Sequence, residues 1–320
     1  MAIFHLQVQD VARGAGRSAV AAAAYRAGER LRDERTGTLH NHSRRTDVRH
    51  SEILLPNGLT GQDAGWAAER ASLWNAAERA ERRRNARVAC EYQVALPAEL
   101  DDAQRLALAR TFARELSQRH GVAVDLAVHA PRRGGDERNH HAHLLSTTRQ
   151  VTAAGFGAKA GLHMSAEQRL QSGLPDRIVE LVAIRERWAA LSNGALAAAG
   201  LQQRIDHRSL RAQGIDREPM PRIPMAAVQI ERRGGFSPVA QRLREQYRAR
   251  IQGRRERAPH ASTAPTELEA IRRQAREAWL ELRRQAAPEP ATAAGKSYIE
   301  VSPPKAPPEA SPKPDQDLAL

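Results

Sequence analysis

The chain has 320 residues, 41% of them hydrophobic, and carries a net charge of +13. That length supplies one large domain or two modest ones, and the basic excess points to a polyanionic partner, most commonly nucleic acid. No stretch approaches the roughly 20 apolar residues of a membrane span, and the N-terminus lacks a signal-peptide pattern, so a cytoplasmic protein without membrane insertion is expected. The single cysteine, Cys90, excludes an internal disulfide framework and reads as a buried structural thiol.

In chain order, residues 2–8 alternate like a strand, and residues 13–17 form a turn. Ser18 is placed to cap a helix running to about Arg32, with Tyr25 inside it. Glu52–Pro56 predicts a second strand, and residues 64–84 a helix with Trp66, Ala67, Leu73, Trp74 and Ala77 turned inward. Arg87–Leu96 reads as a strand ended by Pro97, and Asp101 caps a helix reaching His120. Residues 122–129 put Val122, Val124, Leu126 and Val128 on one face, with Asp125 and His129 on the other. After a Pro- and Gly-containing turn, residues 139–149 supply an antiparallel neighbour. The order predicts an α+β domain with a five-stranded antiparallel sheet flanked by helices. Further helix is expected over 166–199, most clearly over 176–199, with Trp188 on its apolar stripe. The domain is expected to span 1–235. A basic helical segment over 236–287 follows, its Leu268, Ile271, Ala275, Trp279 and Leu282 sharing a face, and then a Pro-rich disordered tail over 288–320.

Strand alternation projects His141 and His143 together and sends His140 the other way, while the neighbouring strand adds His129. A lone strand histidine is usually a packed structural residue, and an HxH pair arises often by chance. Three imidazoles on two adjacent strands instead make an incomplete metal shell that leaves positions for water or substrate oxygens. Nitrogen donors suit Mn²⁺ or later metals, whereas Mg²⁺ prefers oxygen, so the divalent ion, Mn or Mg, stays open. Beside a basic surface, such a site suggests phosphodiester chemistry. A helix tyrosine such as Tyr25 is in isolation most often a packing residue, and a nucleophilic one needs a nearby cation or base. A metal-bound hydroxide could attack in its place, and a non-catalytic DNA-binding accessory protein would need neither.

The segments Met1–Leu6, Gly16–Arg26, Asp33–Gly37, His50–Pro56, Leu73–Asn75, Val94–Pro97, the histidine strand and Ile205–Ile215 together resemble the MobA/MobL family of conjugative relaxases, members of the HUH (His-hydrophobic-His) endonucleases. The resemblance implies strand-specific nicking and rejoining at a plasmid origin of transfer through a 5′-phosphotyrosine. It places the catalytic tyrosine at Tyr25, an assisting glutamate at Glu91, and the metal ligands at His129, His141 and His143. Arg17, Arg26 and Arg149 are the DNA contacts expected. Implied partners are single-stranded DNA at the origin, relaxosome accessory proteins and a type IV secretion coupling protein. Gln93 stands where relatives are often acidic, and His140 where they commonly have proline. Asp206 and His207 match a family motif for which a structural turn is expected.

Overall fold

A computed structural model describes residues 2–257, except 57, 132, 133 and 135, and four isolated positions beyond (274, 277, 278 and 281). The expected basic helical segment beyond residue 257 and the tail over 288–320 therefore fall outside the described residues, those four positions apart. The chain divides into two compact units at residues 209/210.

The first unit begins with β1 (Leu6–Ala12), a 3₁₀ turn, and α1 (Ala19–Ala27). Ser18 caps α1 as expected, its hydroxyl accepting from the Ala21 N–H, but the helix stops at Gly28. That glycine takes the left-handed conformation (φ 69°), which releases the chain from the helix. Arg30–Arg32, read from the sequence as helix, is strand β2 and pairs with β3 (Leu39–Asn41). The chain continues through β4 (Val48–Leu54), α2 (Gly65–Ala68) and α3 (Arg70–Ala80). The single helix expected over 64–84 breaks at Glu69, whose carboxylate leaves the helix to cap α3 through the Ala71 and Ser72 N–H groups. Then come β5 (Arg87–Ala95), α4 (Asp102–His120), β6 (Val124–His129) and β7 (His141–Thr147). A capping box joins Asp101 and Gln104 at the start of α4. The small hairpin β8–β9 (Arg149–Thr152, Gly155–Lys159), α5 (Ala166–Gln171) and α6 (Arg177–Ala198) complete the unit.

Five strands form one sheet in the order β1-β5-β7-β6-β4, every pair antiparallel. Helices cover both faces. On one, Tyr92, Val94, Leu126 and Leu144 pack with Phe112 of α4 and Trp188 of α6, whose rings lie 5.0 Å apart. On the other, Ala89 and Leu145 pack with Ala19, Val20, Ala23 and Ala24 of α1 and Leu73 and Trp74 of α3. Small alanines let α1 lie close against the sheet. Asp125, buried on this face, accepts from the Trp74 indole at 2.9 Å and from Nε and Nη2 of Arg70, pinning α3 to the sheet. Asp206 accepts from the Arg208 N–H at 2.9 Å, the structural turn expected there.

The second unit contains α7 (Met225–Arg232) and α8 (Pro238–Arg257), joined by the Arg244–Glu231 ion pair. The helix α8 lies within the segment expected to be basic and helical. No described helix is long and apolar enough to cross a membrane.

Candidate metal and nucleophile site

His129 ends β6 and pairs in register with His141, which opens β7. The alternation of β7 brings His143 to the same face, and the three ring centroids are 4.7–5.3 Å apart. One ring nitrogen from each lies within 4.8 Å of the other two. Each imidazole also has a fixed partner. His129 Nε2 donates to the Arg26 carbonyl (2.7 Å), His141 Nδ1 to the Asn139 carbonyl (2.8 Å), and His143 Nδ1 to Glu91 Oε1 (2.6 Å). These acceptors set each tautomer and leave a lone pair on the second nitrogen of each ring, the arrangement found behind histidine metal ligands; that of His129, on Nδ1, faces Arg45 Nη2 at 3.4 Å. Burial, the nearby His143 and Arg45 press the His129 pKa down to about 3, and burial lowers that of His141. Such imidazoles stay neutral at physiological pH and can donate to an ion. The donor set therefore fits a divalent metal held by His129, His141 and His143. His140 precedes the strand and is not one of the three grouped imidazoles, as alternation required.

Tyr25 stands in the last turn of α1 and is 37% exposed, so its phenol is open to a substrate. Two arginines tie it to the imidazoles. Arg26, the next residue, gives its carbonyl to His129 and its guanidinium, in a two-pronged ion pair, to Glu91. Arg45 places its guanidinium 4.1 Å from the Tyr25 ring centre, donates to the Tyr25 carbonyl (2.8 Å), and approaches His129 Nδ1 to 3.4 Å. Asp47 grips Arg45 in turn, and that bond holds the Asp47 carboxyl at about 2. His42 meets the Tyr25 ring edge-on at 5.3 Å.

Glu91 is buried against this cluster. Burial would raise its pKa, but the hydrogen bonds from His143 and Arg26 outweigh it and hold the carboxyl at about 2. A carboxylate so committed is a weak base, and its geometry is that of a support for His143. The expected DNA contacts fare differently. Arg17 is exposed, beside a cavity of about 490 Å³ shared with Arg35 and Arg84. Arg26 is occupied by Glu91 and does not face solvent as a free phosphate donor. Arg149 lies past the far end of β7 from the histidines and is bound to Glu81. Sequence reasoning missed Arg45 and Asp47. They sit in the loop before β4, and only the register of β4 with β6, which pairs Val48 with His129, brings them here.

The MobA/MobL family matches residues 17–233. The chain is 39% identical over 259 residues to "Mobilization protein MobL" of Acidithiobacillus ferridurans, covering 73% of this chain and 65% of that protein. It is 33% identical over 281 residues to "Probable mobilization protein MobA" of Bifidobacterium longum, covering 77% of this chain and 47% of that protein. A solved structure described as "Molecular Basis of Vancomycin Resistance Transfer in Staphylococcus aureus" superposes with a TM-score of 0.55 at 31% identity, covering 65% of this chain and all of that one. The chain thus spans about half to two thirds of the length of these curated relatives. With the match running over most of the chain and taking in Tyr25, Glu91 and all three histidines, this protein belongs to the MobA/MobL family.

Proposed function

We propose that this protein nicks one DNA strand at an origin of transfer and rejoins it, with Tyr25 as the nucleophile and His129, His141 and His143 holding a divalent ion. The observation that carries this reading is the double tether of Tyr25 to the imidazoles, through Arg26 on one side and Arg45 on the other. A metal hydrolase using bound hydroxide would have no need of a tyrosine fixed there. The mobilization names of its relatives support the same reading.

A divalent ion bound by the three histidines supplies positive charge for the non-bridging oxygens of a scissile phosphate. The protein's own residues do the rest. The phenol of Tyr25 gives up its proton to solvent and attacks phosphorus, with the Arg45 guanidinium packed over its ring to hold it in place. The bond to the 3′-oxygen breaks, leaving a free 3′-hydroxyl after protonation and a 5′-phosphotyrosine on Tyr25. Reversal by a 3′-hydroxyl rejoins the strand with no nucleotide cofactor, because the phosphodiester energy is kept in the tyrosyl ester. Glu91 positions His143 and Arg26. Arg17, exposed at the start of α1, contacts the DNA backbone. Relaxosome accessory proteins and a coupling protein complete the pathway in the cytoplasm.

The test incubates purified protein and Mn²⁺ with single-stranded oligonucleotides tiled across its neighbouring replicon. A covalent adduct on the Tyr25 peptide, identified by mass spectrometry, is expected. Tyr25→Phe should bind DNA normally and lose nicking by at least about a thousandfold. Cleavage by Tyr25→Phe at the wild-type rate would remove Tyr25 as the nucleophile: an adduct on another tyrosine would transfer the role, and cleavage without any adduct would favour the hydroxide mechanism.

A further inference from the structure

We propose that Asp10, Cys90 and His163 form a second metal site, suited to a borderline divalent ion such as Zn²⁺ and separate from the three histidines. Asp10 on β1 pairs in register with Cys90 on β5, and His163 arrives from the 3₁₀ turn Gly161–His163 after β9. One oxygen, one sulfur and one nitrogen donor lie within 4.8 Å of one another. Cys90 is fully buried and the His163 side chain is 5% exposed.

Two orphaned atoms point to a ligand. Asp10 Oδ1 and His163 Nδ1 are both sealed from solvent without a hydrogen-bond partner, and at 3.9 Å they are too far apart to serve each other. The other Asp10 oxygen is occupied: Arg87 Nε lies 3.1 Å and Arg177 Nη2 3.7 Å from Oδ2. The carboxylate is thus divided, one oxygen given to arginines and the other turned toward Cys90 and His163. Those guanidiniums oppose a cation, and the thiolate formed when an ion displaces the Cys90 proton offsets them. A sulfur–nitrogen–oxygen donor set selects Zn²⁺-like ions and disfavours Mg²⁺ and Ca²⁺. His163 also lines a cleft of about 1100 Å³ with Arg87, Arg149 and Lys159. Cys90 packs on the sheet face of α4 and α6, opposite its neighbour Glu91, so a bound ion would clamp β1, β5 and the turn after β9 without joining the nicking chemistry.

Cobalt substitution of the full chain tests this. Cys90 is the sole cysteine, so a thiolate-to-cobalt charge-transfer band in the near ultraviolet reports this site alone, the three-histidine cluster having no sulfur. Wild type and His141→Ala are both expected to show the band, displaced by Zn²⁺; in His141→Ala, where the three-histidine cluster no longer competes, it should saturate at about one equivalent of Co²⁺. His163→Ala should need at least about tenfold more Co²⁺, and Cys90→Ser should show no band. Wild-type protein without the band at saturating Co²⁺, or a band that survives in Cys90→Ser, would overturn the proposal. The wild-type measurement decides the matter even if a variant fails to fold.

Discussion

Arg26 acts through both its backbone and its side chain: its carbonyl orients His129 while its guanidinium fixes Glu91, which orients His143. Glu91 is thus the shared support of two functional groups, and its contribution depends on its charge. Its pKa falls from 4.5 to about 2 on folding, so the unfolded chain binds more protons in that window. The stabilisation is fully present above about pH 4.5 and is lost as pH falls toward 2, amounting to roughly 3 kcal/mol. Glu91→Gln is expected to melt well below wild type at pH 7 in chelator, with the gap reduced to about half by pH 3 and closing only toward pH 2. Calorimetry should also find Mn²⁺ affinity lowered about 10–100-fold. An equal gap at both pH values would show that the carboxylate charge is not what Glu91 contributes. His141 and His143 were legible because an HxH pair is a local pattern, and His129 because its strand alternates beside theirs, whereas Tyr25 stood out from other helix tyrosines only through the family resemblance. Arg45 and Asp47 were not legible, since nothing local separates them from the arginines beside them, and their role comes from contacts with Tyr25 and His129, 20 and 84 residues away from Arg45.

At the level of elements, the central strands β5, β6 and β7 fall within about two residues of their sequence limits, apart from the polar start of β7. The two edge strands do not. Residues 2–8 and 52–56 were expected, whereas β1 is Leu6–Ala12 and β4 is Val48–Leu54. An edge strand pairs on one side only and need not be apolar, so the Gln7-Val8-Gln9-Asp10 and Arg49-His50-Ser51-Glu52 stretches carry weak alternation. Gly28 governs the other mismatch, the overextended α1. A Cβ there would meet Val48 Cγ2 at 3.2 Å on a backbone already left-handed. Gly28→Ala is accordingly expected to cost about 1–3 kcal/mol. The loss should appear as a lower melting temperature together with slower nicking, because the strain falls three residues from Tyr25. An unchanged melting temperature would mean the helix end relaxes freely.

For the whole molecule, the charge of +13 predicts a steep salt dependence. Each phosphate neutralised on single-stranded DNA contributes about −0.7 to the slope of log affinity against log salt, so several contacts should give a slope of about −2 or steeper. A flat titration between low and physiological salt would contradict a charge-driven footprint. A fragment of residues 1–235, which holds the family match and the whole first unit up to Ser209, is expected to fold and nick its oligonucleotide. A folded fragment without that activity would place part of the site in the later residues.

The strand order has a further consequence in time. Within the five-stranded sheet only β6 and β7 follow one another in the chain, while β1 must wait for β5, and β5 for β7. During synthesis from the N-terminus, the helix bearing Tyr25 emerges more than a hundred residues before the strand bearing His141 and His143. The histidine hairpin closes quickly once made, but the tyrosine helix has no complete sheet to settle on until β7 inserts between β5 and β6. The proposed nicking site is therefore assembled late and all at once, and a chain interrupted before residue 147 would expose an alanine-rich helix and unpaired strand edges instead of a partial site.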